Sequence, residues 1–175
     1  MTEAQLSNAM DAYGSTVYRL ALTRMQNIAD AEDVYQEVFL RLWKQAAEDW
    51  DGDRAKAWLI RTTLNRCADL HRFRLRRPVL SFAEIPDLAQ PEDESRELWE
   101  AVSRLPEKAR TAVHLYYAEG YSAEEISQLM HIPAATVRTR LHRARKQLKE
   151  LLGGIDDETC VSRSDRTNFG PQRAE

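Results

Sequence analysis

Glycine, proline and cysteine are all scarce in this chain. Six glycines and six prolines among 175 residues leave little material for tight turns. Alanine, leucine, arginine and glutamate are common instead, and the balance points to an all-α protein. The two cysteines, Cys67 and Cys160, lie far apart and form no metal-ligand spacing. Cys67 falls on an apolar helical stripe and reads as a buried thiol. No apolar run approaches the ~20 residues a bilayer-spanning helix needs, and residues 1–10 lack the basic start and apolar centre of a secretory signal. A soluble cytoplasmic protein with no membrane insertion is expected. The histidines, His71, His114, His131 and His142, are scattered. They make no nucleophile–base pair or metal set, and no glycine loop suited to phosphate is present. No catalysis, cofactor or metal is therefore expected.

The net charge of −3 conceals strong segregation. Residues 54–77 carry Arg54, Lys56, Arg61, Arg66, Arg72, Arg74, Arg76 and Arg77 against the single acid Asp69. Residues 138–149 carry Arg138, Arg140, Arg143, Arg145, Lys146 and Lys149 and no acid. Between these runs, Glu84, Asp87, Glu92, Asp93, Glu94 and Glu97 face only Arg96. Local fields govern binding to a polyanion, so a near-neutral total does not exclude nucleic acid.

Apolar spacing predicts the elements. Leu6, Met10, Tyr13, Val17, Leu20, Ala21 and Met25 recur at helical intervals, with Gly14-Ser15 as a possible break into two helices. A second helix is expected to start at Asp30 as N-cap. Its inner stripe is Val34, Val38 and Leu42, widened by Tyr35, Phe39 and Trp43. A third covers 55–74, with Ala57, Ile60, Leu64 and Cys67 inward, and Pro78 ends it. These pieces form a first small domain, residues 1–77. Residues 78–95 read as an acidic linker. Helical spacing resumes from Arg96 with Leu98, Trp99, Val102 and Leu105, and Pro106 opens another helix. Ser122 with Glu125 three residues on is a capping box, and Ile126, Leu129 and Met130 face inward behind it. Residues 96–152 form the second domain, and 153–175 a polar tail expected to be disordered.

Three faces carry candidate chemistry. In the last helix Val137, Leu141, Ala144 and Leu148 make an inward stripe. Arg138, Thr139, His142 and Arg143 lie opposite, where a recognition helix meets base edges. Arg140, Arg145 and Lys146 suit phosphates. The turn before this helix requires a left-handed residue at His131, a residue type that tolerates positive φ better than most. In the middle helix Arg54, Arg61, Asn65, Arg72 and Arg76 share a stripe suited to single-stranded or melting DNA. On the second helix Asp33, Gln36, Glu37, Arg41 and Lys44 oppose the apolar stripe and could meet arginines of a protein partner.

Residues 31–43 (AEDVYQEVFLRLW), 57–77 (AWLIRTTLNRCADLHRFRLRR), 105–127 (LPEKARTAVHLYYAEGYSAEEIS) and 136–148 (TVRTRLHRARKQL), in this order, resemble the extracytoplasmic-function group of bacterial RNA polymerase sigma factors, in the sigma-70 family. The resemblance spans roughly residues 13–152. It implies two small helical domains, a region 2-like bundle and a region 4-like helix-turn-helix domain, joined by the acidic linker. It implies that Asp33, Gln36, Glu37 and Arg41 dock on the β′ clamp coiled coil of core polymerase, and that the second domain meets the β flap. Residues 48–53 and the basic helix after them become the segment that melts the promoter and captures a flipped base, with Arg61, Asn65, Arg72 and Arg76 on the −10 region. Arg138, Thr139, Arg140, His142, Arg143 and Lys146 become the −35 reader on duplex DNA. An anti-sigma factor is an expected partner. The chain departs from the family pattern at Ser127, His131 and Ala135, where alanine, glycine and glycine are common.

The competing reading is a helix-turn-helix regulator that acts as a dimer without entering polymerase. Such proteins read two half-sites, and an upstream Arg-rich helix with an acidic docking face fits that scheme poorly.

Overall fold

A computed structural model describes residues 1–45, 52–76 and 93–153; the side chains of residues 75, 76 and 93–96 are not among those described. Every described element is helical: α1 Glu3–Met25, α2 Ile28–Lys44, α3 Gly52–Arg76, α4 Asp93–Ser103, α5 Glu107–Val113, α6 Ala123–Met130 and α7 Ala134–Leu151, with a π turn His114–Ala118 extending α5. The expected linker up to residue 92 and the tail from 154 fall outside the described residues. So do residues 48–51 of the expected base-capture loop, while Gly52 and Asp53 open α3.

α1 is one continuous helix, capped by a Thr2/Gln5 box at its start and by left-handed Gln26 at its end. The expected break at Gly14-Ser15 does not occur. Gly14 is there for space: a Cβ would meet the Tyr35 hydroxyl oxygen at 3.0 Å. The close approach of α1 and α2, rather than a turn, accounts for this glycine. α2 also starts earlier than expected. Asn27 is its N-cap, accepting from the Asp30 amide, and Asp30 sits inside the first turn. There its carboxylate pairs with Arg74 of α3. Burial pushes the Asp30 carboxyl above its ordinary range, against the Arg74 charge that pulls it down.

α1, α2 and α3 pack around Val17, Ala21, Val34, Val38, Phe39, Leu42, Leu59 and Cys67. Cys67 is wholly buried as expected, and the apolar surroundings push its thiol up to about 12. Trp43 belongs to the surface, at 40% exposure, not to the inner stripe. In the C-terminal half, α5, α6 and α7 bury Ala112, Leu115, Ile126, Leu129, Val137, Leu141 and Ala144. α4 begins at Asp93, a few residues before the expected Arg96. Leu98 and Trp99 are 47% and 42% exposed, so of the expected stripe only Leu105, just beyond the end of α4, is buried, and within α4 the buried residue is Ala101.

One feature of the packing has no counterpart in the sequence reading. Leu20 of α1 and Ile60 and Leu64 of α3 join the same buried cluster as Leu115, Ile126 and Val137. α1 packs on α5 and α3 packs on α6. The two halves share a core.

Candidate nucleic-acid interface

The helix-turn-helix is built by local chemistry. Ser122 accepts from the Glu125 amide while the Glu125 carboxylate takes the Ser122 amide, closing the capping box at the start of α6. α6 ends on His131 at φ 52°, ψ 46°. The imidazole residue takes the left-handed position that glycine fills most cheaply, and the Ser127 carbonyl accepts the amides of His131 and Ile132. Pro133 precedes α7 and sets its entry angle, as a residue with fixed φ does at a helix start. Ala135 lies in the first turn of α7, where ordinary helical backbone makes no demand for glycine.

On α7, Val137, Leu141 and Ala144 are buried, while Arg138, Thr139, His142, Arg143 and Lys146 are exposed and Arg140 is half-buried. The cationic face is therefore open to a ligand along its length. Arg138 pairs with Glu124 of α6, both side chains 60% exposed. An ion pair this wet is worth only about 0–1 kcal/mol, so a phosphate or guanine displaces it cheaply. The Thr139 hydroxyl donates to the Ala135 carbonyl at 2.9 Å, which leaves its oxygen lone pairs outward.

On α3, Arg61, Asn65 and Arg72 are exposed, opposite the buried Ile60, Leu64 and Cys67. The Arg61 Nε donates to the Ala57 carbonyl at 3.3 Å, and Arg72 pairs with Asp69. Arg76 stands in the last turn of the helix, its side chain outside the described set. On α2, Asp33 and Gln36 are exposed, while Glu37 and Arg41 are half-buried and paired at 2.9 Å. The hydrogen bond from Arg41 holds the Glu37 carboxyl below its ordinary range. Leu40 and Trp43, 47% and 40% exposed, lie beside these groups. Sequence reasoning missed this apolar component. Its signal was available: Leu40 recurs three and four residues after Glu37 and Gln36, on the polar side of α2.

The three faces stand on three helices and are not gathered into one pocket. The residues that are gathered were not foreseen. Glu119, with 4% of its side chain exposed, meets Lys56 Nζ at 3.1 Å and accepts from Thr16 Oγ1 at 3.1 Å. Thr23 Oγ1 lies 3.2 Å from His114 Nδ1. Burial drives His114 down to about 4, against the pull of Glu119, so the imidazole is neutral at pH 7. Arg110 is buried and donates to carbonyls of both halves: Thr23 and Arg24 in one, Ser103 and Leu105 in the other. Among the described residues no group of three or more metal-ligating side chains occurs, and no helix is long and apolar enough to cross a membrane.

Known proteins carry the same two parts in the same order. Residues 9–77 match Sigma-70 region 2, and residues 95–148 match Sigma-70, region 4. The chain is 32% identical over 155 residues to ECF RNA polymerase sigma factor SigM of Bacillus subtilis (strain 168), covering 83% of this chain and 94% of that protein. It is 34% identical over 161 residues to ECF RNA polymerase sigma factor SigE of Mycolicibacterium smegmatis, covering 86% of this chain but 62% of that protein. The chain thus spans less than two thirds of that relative. Two solved structures share the fold. One is the sigma factor RpoE in complex with the anti-sigma factor NepR from Bartonella quintana (TM-score 0.69, 23% identity, 85% of this chain and 97% of that one). The other is CnrH in complex with the cytosolic domain of CnrY (TM-score 0.62, 25% identity, 89% of this chain and 92% of that one). With both sigma regions matched in order, and full-length relatives at this identity, the chain belongs to the extracytoplasmic-function sigma factors of the sigma-70 family.

Proposed function

We propose that this chain is a dissociable promoter-specificity subunit, which brings core RNA polymerase to particular promoters and starts transcription there. The observation that carries the reading is the coexistence, on one chain, of an exposed cationic recognition face on α7, an exposed Arg/Asn stripe on α3 and an acidic, partly apolar face on α2. A helix-turn-helix regulator needs only the first of these.

In this reading residues 1–77 act as the region 2 unit, 78–95 as the connection and 96–152 as the region 4 unit. Asp33, Gln36, Glu37 and Arg41 contact the β′ clamp coiled coil, with Leu40 and Trp43 supplying apolar area that the acids alone lack. The region 4 unit meets the β flap. Arg61, Asn65, Arg72 and Arg76 hold the −10 strand, where a surface that binds unpaired bases better than paired ones shifts the duplex toward the open state. Arg138, Thr139, His142 and Arg143 read −35 base edges, and Arg140 and Lys146 hold phosphates. The chain works in the cytoplasm, performs no catalysis of its own and is held in check by an anti-sigma factor, the kind of partner that RpoE of Bartonella quintana carries in its solved complex. A run-off assay over genomic fragments tests this: core polymerase plus the chain initiates at promoters that core alone ignores. Absence of initiation by folded protein that binds core would overturn the reading.

A further inference from the structure

The docking, −10 and −35 faces leave a cleft in the first half unused. It opens between α1 and α2 with a volume of about 610 Å³, lined by Gly14, Ser15 and Tyr18 of α1 and by Glu32, Tyr35 and Gln36 of α2. Gly14 sets its shape. The residue is buried, and a Cβ there would meet the Tyr35 hydroxyl oxygen at 3.0 Å and the ring edge at 3.5 Å. Glycine therefore lets the Tyr35 ring lie against α1. Tyr18 meets that ring in a T-shaped arrangement, with centroids 6.4 Å apart and planes at 78°. The buried Phe39 holds Tyr35 as well, with centroids 4.8 Å apart. Both tyrosines are half-buried, so they form a fixed corner that still presents aromatic surface to solvent.

The charge around this corner has one sign. None of the lining residues is basic. Glu32 is exposed and pairs with no cation among the described residues. Asp11 of α1 lies near enough to Tyr35 that its charge, after burial, helps push the phenol up. Aromatic faces attract cations through their quadrupole, so rings and acids ask for the same kind of occupant. A hard metal ion fits poorly, because it needs a shell of oxygen ligands and the walls here are mostly aromatic. An apolar segment fits poorly too, because covering Glu32 would strip a carboxylate of water without giving it a partner. A guanidinium meets both demands. It is planar and weakly hydrated, it stacks on aromatic faces, and its fork of N–H donors pairs with a carboxylate. An ammonium is more compact and more strongly hydrated, and it gives up less on stacking.

We propose that the Tyr18–Tyr35 corner, with Glu32 as its counter-ion, is a binding site for a guanidinium group. The tyrosine rings take the plane of the group and the Glu32 carboxylate accepts its N–H donors. The corner is held in shape before the ligand arrives, which keeps the ordering cost of binding low. Gln36 lines the cleft and also belongs to the polar face of α2, so a bound cation changes the charge beside Asp33 and Glu37. The guanidinium is carried either by a free small molecule or by an arginine of a protein seated on α2. The chemistry of the site is the same for both and needs no polymerase to be tested.

Titration of the full chain at low salt, followed by NMR of the Tyr18 and Tyr35 rings, tests the site. The probes are N-acetyl-arginine amide, its neutral isostere N-acetyl-citrulline amide, and N-acetyl-lysine amide. The arginine probe should move both ring signals saturably, with a Kd of about 1 mM. The citrulline probe should bind at least about tenfold more weakly, since it keeps the shape and loses the charge. The lysine probe should fall between them. Glu32→Gln, at an exposed position, should weaken the arginine probe about tenfold and leave the citrulline probe unchanged. Tyr18→Leu should weaken the arginine probe as well; if that variant misfolds, Glu32→Gln alone decides. A drift that never saturates, equal binding of arginine and citrulline, or an arginine affinity untouched by Glu32→Gln would each overturn the proposal. A second arm identifies the source, by titrating Glu32→Gln against core polymerase. Loss of about threefold or more in affinity assigns the guanidinium to an arginine of the polymerase, and wild-type affinity assigns it to a free ligand. Core binding that survives in both Glu32→Gln and the Asp33→Arg, Glu37→Arg variant would count against the α2 docking face, with the probe titrations still deciding the guanidinium site.

Discussion

Arg138 and Arg143 are both exposed on the outer face of α7, and the base-reading role proposed for them is distinguishable from the phosphate-holding role proposed for Arg140 and Lys146. An arginine paired bidentately to guanine discriminates one base pair, whereas a phosphate contact weakens all sequences alike. Arg138→Ala and Arg143→Ala are each expected to cost about 1–3 kcal/mol on a cognate −35 duplex and much less on a duplex substituted at the contacted pair. Competition binding at fixed salt measures this. Equal losses on both duplexes would make these side chains phosphate clamps. For Arg138 the free protein offers little resistance, since its Glu124 partner is as exposed as it is. His131 shows how a single residue is legible before the structure. Its place between a capped helix and a proline demanded a left-handed backbone, and φ is 52°. Arg110 shows the opposite. In sequence it is one more helical arginine, and only the tertiary fold brings two helix ends to it.

At the level of whole elements, the sequence foretold helices well and their neighbours poorly. The 3.6-residue stripes of α2 and α7, and the capping box of α6, are local patterns, and the buried Val34, Val38 and Leu42 and Val137, Leu141 and Ala144 follow from them. Gly14 misled because a glycine within a helix can mark either a break or a close approach, and only the position of Tyr35 decides. Leu98 and Trp99 misled because periodicity gives a stripe but not what covers it. On α2 the polar face is legible as Asp33, Gln36 and Glu37, with Leu40 among them by helical spacing, whereas the exposure of Trp43, assigned by periodicity to the inner stripe, becomes visible only in the structure. Asp33→Arg combined with Glu37→Arg should reduce core polymerase affinity by at least about tenfold, the scale of ~1.4 kcal/mol. The thermal midpoint should move little, because the Glu37–Arg41 pair is a surface i,i+4 contact worth about 0.3–0.5 kcal/mol. Unchanged affinity in a pull-down titration would remove the docking role from this face.

At the scale of the molecule, two amphipathic halves were legible, and their mutual packing was not. Helical stripes predict that Ile60 and Leu64 are buried; they do not predict that α6 from the other half buries them. The polar groups in that contact give the whole chain a specific pH response. His114 sits neutral between Thr23 and Glu119, with Arg19 among the nearby charges and Lys56 on the far side of Glu119. Its folded value is about 4, against 6.5 for the free side chain. The unfolded chain therefore binds this proton more readily, and the stability linked to His114 is present in full above about pH 6.5. It drains away as pH falls toward 4, by about 2 kcal/mol at pH 5 if no other group compensates. Urea unfolding at pH 7 and pH 5 reads this directly when wild type is compared with His114→Gln, which keeps a polar side chain but cannot take the proton. The wild type should lose more stability than the variant over that interval. An equal loss in both proteins would mean that His114 does not couple the packing of the halves to pH.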